Sequence, residues 1–106
     1  MGEIIKFDKL VRDRIPEILE NKGIKSVTHV IEDEEYFARL VAKLHEEVEE
    51  FAADSNEEEL ADIFEVLNAI IEEKGFIYEA VEEIRLKKLA ERGGFKNKII
   101  LEQTEE

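Results

Sequence analysis

The fold is decided by residues 43–67, which read KLHEEVEEFAADSNEEELADIFEVL. Two apolar patterns with the spacing of an α-helix flank a short polar run, Asp54-Ser-Asn56. These residue types favour a turn because their side chains bond to the nearby backbone, and Ser55 or Asn56 is suited to cap the second helix. The stretch therefore predicts two helices that pack antiparallel across a tight turn.

The helical pattern extends outward from this turn in both directions. The first helix is expected from about Asp33, which is suited to cap it, to about Ala53, and the second is expected to end near Lys74, where Gly75 follows. Each helix carries one apolar stripe. The predicted buried residues are Phe37, Leu40, Val41, Leu44, Val48 and Phe51 in the first helix, and Leu60, Ile63, Phe64, Leu67, Ile70 and Ile71 in the second.

Two further helices are predicted nearer the ends of the chain. Pro16 opens a short one that Gly23 ends, and residues 77–92 form another that is closed by glycines. Residues 3–10 are expected to be extended or irregular, and residues 25–31, which are rich in β-branched side chains, are expected to be extended. The sequence thus predicts an all-α fold, an antiparallel helical bundle with short extended N-terminal segments.

The composition limits the size and the association of this fold. The 106 residues are expected to form a single domain, residues 1–106, because a chain of this length has room for one core. Apolar residues make up 43% and charged residues 41%. Amphipathic helices in so short a chain leave apolar surface uncovered, so a homo-oligomer is expected.

The net charge of −13 bears on possible partners. It disfavours general binding to nucleic acids or to anionic membranes, although a divalent cation can still join an acidic protein to an acidic substrate. The absence of cysteine excludes disulfides and thiolate chemistry. No apolar segment reads as a signal sequence or as a membrane span, so a cytoplasmic location is expected.

The acidic residues at the central turn are the strongest indication of chemistry. Glu47 and Glu50 lie three apart on the first helix, and Glu59 and Asp62 lie three apart on the second, so each pair shares a helix face. Four converging carboxylates would repel each other, and a hard cation such as Mg²⁺, or alternatively Mn²⁺, would relieve that repulsion. With 28 acidic residues in the chain, solvated helix faces are the alternative interpretation.

Basic residues near both ends of the chain could complement this cluster. Lys88 takes an expected apolar position on the last helix, and Arg92 follows one turn later. Lys9, Arg12 and Arg14 supply further positive charge before Pro16. Cations of this kind could hold a polyphosphate. The alternative is structural, since such residues also balance a helix dipole or form ion pairs.

Several segments together resemble a known family. Glu47-x-x-Glu50 and Glu59-x-x-Asp62 resemble the ExxE…ExxD signature of the MazG-like, or all-α, nucleoside triphosphate pyrophosphohydrolases. The opening KLVRDRIPEI, residues 9–18, and the closing Lys88-x-x-x-Arg-Gly-Gly-Phe95 resemble a compact branch often labelled phosphoribosyl-ATP pyrophosphohydrolase-like. One difference is that eight residues separate Glu50 from Glu59, fewer than in many members of the family.

The resemblance implies a function and a set of site residues. It implies Mg²⁺ held by Glu47, Glu50, Glu59 and Asp62, and hydrolysis of a nucleoside triphosphate to a nucleoside monophosphate and pyrophosphate. It also implies a homodimer or a homotetramer. The substrate-binding cations would then be Lys88, Arg92, Arg12, Arg14 and Lys9.

Two other functions remain open at this point. The first is phosphoribosyl-ATP pyrophosphohydrolase of histidine biosynthesis, which cleaves the same type of bond in another substrate. The second is a helical oligomer without catalytic activity that regulates or scaffolds. The sequence does not identify the base, the sugar, the number of metal ions or the carboxylate that orients the water, and a resemblance alone does not establish a substrate.

Overall fold

A computed structural model describes residues 2–106, and over this range the chain has four α-helices and no β-strand. The predicted all-α fold is confirmed. The helices are α1 (Ile15–Asn21), α2 (Asp33–Ala53), α3 (Glu57–Lys74) and α4 (Tyr78–Arg92).

The first helix, α1, has the ends that its sequence predicts. Pro16 lies in its first turn, where a missing N–H costs little. Gly23 has a φ of 75°, a left-handed conformation that glycine adopts readily. Its N–H donates to the Glu20 carbonyl at 2.9 Å, and the N–H of Ile24 donates to the Leu19 carbonyl at 3.0 Å. These two bonds form a Schellman motif, which ends the helix.

The segments on either side of α1 are irregular, and the start of α2 differs from the prediction. Residues 2–12 and 24–32 are in neither helix nor strand. The N-cap of α2 is Glu32, which has extended φ and ψ, and Asp33 is the first residue of the helix. The prediction that Asp33 caps α2 is therefore wrong. Asp33 instead places its negative charge in the first turn, where it interacts favourably with the helix dipole.

Helices α2 and α3 pack against each other as an antiparallel hairpin. At the open end of the hairpin, Nζ of Lys74 lies 3.7 Å from the ring centre of Phe37, which joins the end of α3 to the start of α2. Leu40 and Val66 are the most buried apolar side chains, with 3% and 7% of their surface exposed. The hairpin thus has a narrow core along one line of each helix.

The hairpin also has an exposed apolar face, which the predicted stripes do not anticipate. On a helix of roughly 100° per residue, Leu60, Phe64 and Leu67 lie well away from the line of Val66. Phe64 is 59% exposed. Helix α3 therefore carries two apolar faces, and its predicted stripe mixes them. The exposed apolar face of the hairpin consists of Phe37, Val48, Leu60, Phe64 and Leu67.

The internal contacts of the chain divide into two compact units, of which one ends at Lys74 and the other is Gly75–Glu106. The second unit contains α4, which has no buried residue. Its apolar positions, among them Val81 and Ile84, are exposed to solvent. None of the helices described over residues 2–106 is both long enough and apolar enough to cross a membrane.

Candidate functional site

The turn between α2 and α3 is held by side chains from both of its ends. The Ser55 hydroxyl donates a hydrogen bond to the Phe51 carbonyl at 2.8 Å. The Asn56 side-chain oxygen accepts one from the backbone N–H of Glu59 at 2.9 Å. Of the two residues predicted as caps, Asn56 is therefore the one that caps α3. Because this bond ends on Glu59, the cap also fixes the backbone of a predicted metal ligand.

Glu47 is a buried carboxylate, with only 6% of its surface exposed. Its Oε1 lies 3.2 Å from Nζ of Lys43, one turn earlier on α2. Its Oε2 is buried and accepts no hydrogen bond within the described residues. A buried carboxylate oxygen without a donor is unfavourable, because it has lost its water without gaining a partner. This oxygen is therefore available to a cation.

Glu47 belongs to a group of three carboxylates from both helices of the hairpin. One oxygen each of Glu47, Glu50 and Glu59 lies within 4.8 Å of the other two. Around an ion bonded at about 2.1 Å, opposite ligand oxygens lie about 4.2 Å apart, so only small side-chain movements are needed to enclose one. Oε2 of Glu59 is likewise buried without a hydrogen-bond partner. The residues present thus fit a hard divalent cation.

The electrostatics of the group point the same way. The charge of Glu47 raises the pKa of Glu50, and partial loss of water around this otherwise exposed carboxyl group adds to the effect. Burial raises the pKa of Glu59, and the charge of Asp62 raises it further. Both shifts mean that the ionised forms are disfavoured by their surroundings. A bound cation would remove this penalty, because it supplies the missing positive charge.

Asp62, the fourth predicted ligand, lies beside this group and is engaged elsewhere. Its Oδ1 lies 2.6 Å from Nη2 of Arg12, a residue of the N-terminal segment. The three mutually close carboxylates are Glu47, Glu50 and Glu59, and Asp62 is near enough to Glu59 to raise its pKa. The structure therefore brings together three of the four predicted ligands and pairs the fourth with a predicted substrate-binding cation.

Lys9, another predicted substrate-binding residue, also contacts this side of the hairpin. Its Nζ lies 2.8 Å from Oε1 of Glu46, and Lys43 lies 3.3 Å from Oε2 of the same carboxylate. The hydrogen bond to Glu46 raises the pKa of Lys9. Burial alone would raise the pKa of Glu46, but the hydrogen bonds and charges of Lys9 and Lys43 outweigh it, so this pKa is lowered. The N-terminal segment is therefore joined to α2 by this ion pair and to α3 through Arg12.

The other predicted cations take no part in these ion pairs. Arg14 pairs with Glu17 of its own helix at 3.1 Å. Lys88 and Arg92 belong to α4, in the second compact unit, and neither forms an ion pair with any residue in the range 2–106. Arg92 lines a cavity of about 800 Å³ whose wall also includes Lys96 and Lys98. Among the residues that the structure describes, no acidic one lines this cavity.

Three of these basic residues were not among the predicted site residues. Lys43 lies four residues before Glu47, and this helical spacing is visible in the sequence. Its burial beside the carboxylates is not, because it depends on how α2 packs. Lys96 and Lys98 line their cavity together with Arg92 only because the chain turns after Gly93, where φ is 81°. No periodic pattern in the sequence reports that turn.

Comparison with known proteins shows similarity over part of the chain. The sequence is 51% identical over 45 residues to a protein of Mycolicibacterium smegmatis (strain ATCC 700084 / mc(2)155) described only as uncharacterized. The match covers 42% of this chain and 46% of that protein, so the chain spans less than half of its relative. No family model matches the chain, and no solved structure matches it.

Proposed function

We propose that the chain is a MazG-like pyrophosphohydrolase that converts a nucleoside triphosphate to a nucleoside monophosphate and pyrophosphate. The observation that carries the proposal is the convergence of Glu47, Glu50 and Glu59, with two buried oxygens that accept no hydrogen bond from any residue in the range 2–106. A cluster that only faced solvent would hydrate both of those oxygens. The resemblance of the flanking segments adds the substrate class.

The donor set favours Mg²⁺ or Mn²⁺, because all the available ligands are carboxylate oxygens. Glu47, Glu50 and Glu59 would hold the ion, and Asp62 would join them once its ion pair with Arg12 opens. Bound there, Mg²⁺ would neutralise phosphate charge and lower the pKa of a water ligand.

The proposed role of each other side chain in the site follows from its exposure and its ion pairs. Glu47 is buried and held on one oxygen, so it keeps the geometry of the site. Glu50 is exposed, so water and a phosphate group can reach it. Arg12 pairs with a carboxylate of the site and could exchange that partner for a phosphate oxygen. Lys88 and Arg92, in the second compact unit, are the residues that the resemblance assigns to phosphate binding.

The net charge of −13 favours a small nucleotide over a nucleic acid as substrate. A long phosphate backbone needs an extended basic surface, since its affinity comes from many phosphate contacts. A nucleoside triphosphate needs only one cation site and a few basic side chains.

We also propose that two copies of the chain associate through the exposed apolar face of the α2–α3 hairpin. Apolar side chains exposed together on one side of two packed helices favour burial against another surface. Two hairpins packed by these faces would form a four-helix bundle, with a carboxylate group on each hairpin. A homotetramer would follow if two such dimers assembled.

The direct test is an assay of pyrophosphate release from a panel of canonical and modified nucleoside triphosphates. We expect release that requires Mg²⁺ and that stops when EDTA removes it. Phosphoribosyl-ATP belongs in the panel, and a strong preference for it would identify the histidine-biosynthesis reaction instead. Absence of release from every nucleotide would contradict the enzymatic proposal and favour a non-catalytic helical oligomer.

A further inference from the structure

Lys43 is an unusual lysine, because only 16% of its side chain is exposed. Lysine is rarely buried unless it is paired. Its Nζ lies 3.2 Å from Oε1 of Glu47 and 3.3 Å from Oε2 of Glu46. A glutamate that precedes a lysine by four residues stabilises a helix better than the reverse order found here. Helix stabilisation therefore gives only a weak reason for this arrangement.

The ion pair continues into an ordered chain of alternating charges. Lys9 binds Oε1 of Glu46, Lys43 binds Oε2 of Glu46, and Lys43 also binds Oε1 of Glu47. At the end of this series of ion pairs, Oε2 of Glu47 is buried and accepts no hydrogen bond from the part of the chain that the structure describes. One oxygen of Glu47 is thus held by a cation of the protein, and the other is buried without a partner among residues 2–106.

We infer that Lys43 is a positioning residue that holds Oε1 of Glu47, leaves only Oε2 for a cation, and thereby favours Mg²⁺ or Mn²⁺ over Ca²⁺. The inference rests on the proposed cation site. Mg²⁺ requires near-octahedral geometry, to which a carboxylate contributes one oxygen, whereas Ca²⁺ accepts six to eight oxygens and readily takes both from one carboxylate. A Glu47 restricted to one oxygen therefore suits the smaller ion.

Metal binding to the full chain without nucleotide tests the inference, with Mn²⁺ and Ca²⁺ as the two probes in calorimetric titrations. In Lys43→Met we expect the affinity for Mn²⁺ to fall by about tenfold, as is common when a residue that orients a ligand is lost. The affinity for Ca²⁺ should stay or rise, so the ratio of the two affinities falls. Lys43→Arg keeps a donor at this position and should restore the ratio.

A simple charge effect predicts the opposite sign. Removing a positive charge beside the carboxylates would tighten the binding of Mn²⁺ and Ca²⁺ equally, and that result would overturn the inference. Lys25→Met removes the same charge from an exposed lysine in the irregular segment before α2, and it should leave the ratio unchanged. If Lys43→Met does not fold, as judged by circular dichroism, Lys43→Ala takes its place with the same expectations, because alanine also lacks a donor.

The outcomes separate this inference from the proposed function. A wild-type chain that binds Mn²⁺ but releases no pyrophosphate would contradict the proposed reaction and leave the role of Lys43 intact. A wild-type chain that releases pyrophosphate, with equal tightening of both ions in Lys43→Met, would overturn only the role of Lys43. A wild-type chain that binds neither ion would overturn both.

Discussion

The α2–α3 hairpin and the Gly75–Glu106 region differ in whether their basic residues contact carboxylates of the protein. Around the hairpin, Lys9, Arg12 and Lys43 each contact a carboxylate of the protein. In the second region Arg85 pairs with Glu82. Two further groups of basic residues in this region form no ion pair within residues 2–106. They are the predicted substrate-binding residues Lys88 and Arg92, and the cavity-lining residues Lys96 and Lys98.

The two regions also differ in how many side chains they bury. The hairpin buries Leu40, Glu47 and Val66, whereas α4 buries no residue. The comparison teaches that the cations of the hairpin region serve mainly to set the protein's own carboxylates. The cations of the second region that were predicted to bind substrate make no such contact within residues 2–106, and the apolar positions of α4 are exposed.

The largest effect is expected when a carboxylate of the hairpin is substituted. Glu50→Gln removes a charged ligand and should lower Mg²⁺-dependent pyrophosphate release on the order of 10²–10³-fold, because one preorganised charge is lost. Asp62→Asn should also abolish most turnover. The measurement is the rate at saturating nucleotide and Mg²⁺.

Glu49→Gln provides the matched control, since Glu49 is exposed on α2 and is not part of the close group. Its rate should equal that of the wild type. Full activity in both Glu50→Gln and Asp62→Asn would exclude the proposed metal site.

The next effect concerns the exposed apolar face of the hairpin. Phe64→Glu places a charge in that face and should weaken self-association by about a hundredfold, since buried aromatic residues often dominate an interface. Light scattering across a concentration series measures this change. Glu72→Gln alters an exposed residue of α3 outside the face and should leave the association unchanged. A Phe64→Glu chain with unaltered mass at every concentration would count against the proposed dimer.

A smaller effect should distinguish the cations of the two regions. Lys88→Ala and Arg92→Ala are each expected to raise the KM for the triphosphate by about tenfold, since a hydrogen bond to a charged group contributes roughly 1.5 kcal/mol or more. Arg85→Ala serves as the control, because Arg85 already pairs with Glu82. If Lys88→Ala lowered only the melting temperature, Lys88 would be structural.

The smallest effect concerns stability and pH in the absence of divalent ions. The pKa values of Glu50 and Glu59 are higher in the folded state than in the unfolded state. At pH values between the unfolded-state and the folded-state pKa, the folded chain therefore binds more protons than the unfolded chain. The stability contributed by these groups is therefore present at low pH and is lost as pH rises through the raised pKa values.

Glu50→Gln should thus raise the melting temperature of the metal-free chain at neutral pH by a few degrees, because it removes a repelling charge. The gain should vanish at acidic pH, where Glu50 is protonated in the folded chain and repels no neighbour. Added Mg²⁺ should stabilise the wild type at neutral pH more than it stabilises Glu50→Gln. An equal gain at both pH values would show that repulsion within the group is not the cause.

Most helix ends could be predicted from local sequence signals. Gly23 ends α1, Asn56 caps α3 and the helix ends at Ala53 and Lys74 agree with the prediction, because each depends on a few adjacent residues. The prediction that Asp33 caps α2 was wrong. Several acidic residues occur in succession at this point, and the backbone conformation decides which of them is the cap.

The buried face of α3 and the partners of the site were harder to predict. Periodicity joins Leu60 and Phe64 to Ile63 as one stripe, and only packing against α2 separates them. The spacing of the acidic pairs predicted that Glu47, Glu50, Glu59 and Asp62 would converge, and the structure brings the first three close together. It could not predict that Arg12, fifty residues away along the chain, would contact Asp62.

The short turn at Ser55 and Asn56 also bears on how the molecule forms. Glu47 and Glu59 are only twelve residues apart, so the carboxylates meet as soon as the hairpin closes. Contacts between residues so near in sequence form early, whereas their mutual repulsion opposes closure. We therefore expect divalent ions to accelerate refolding, so that the same carboxylates link ion concentration to the speed at which the protein becomes functional.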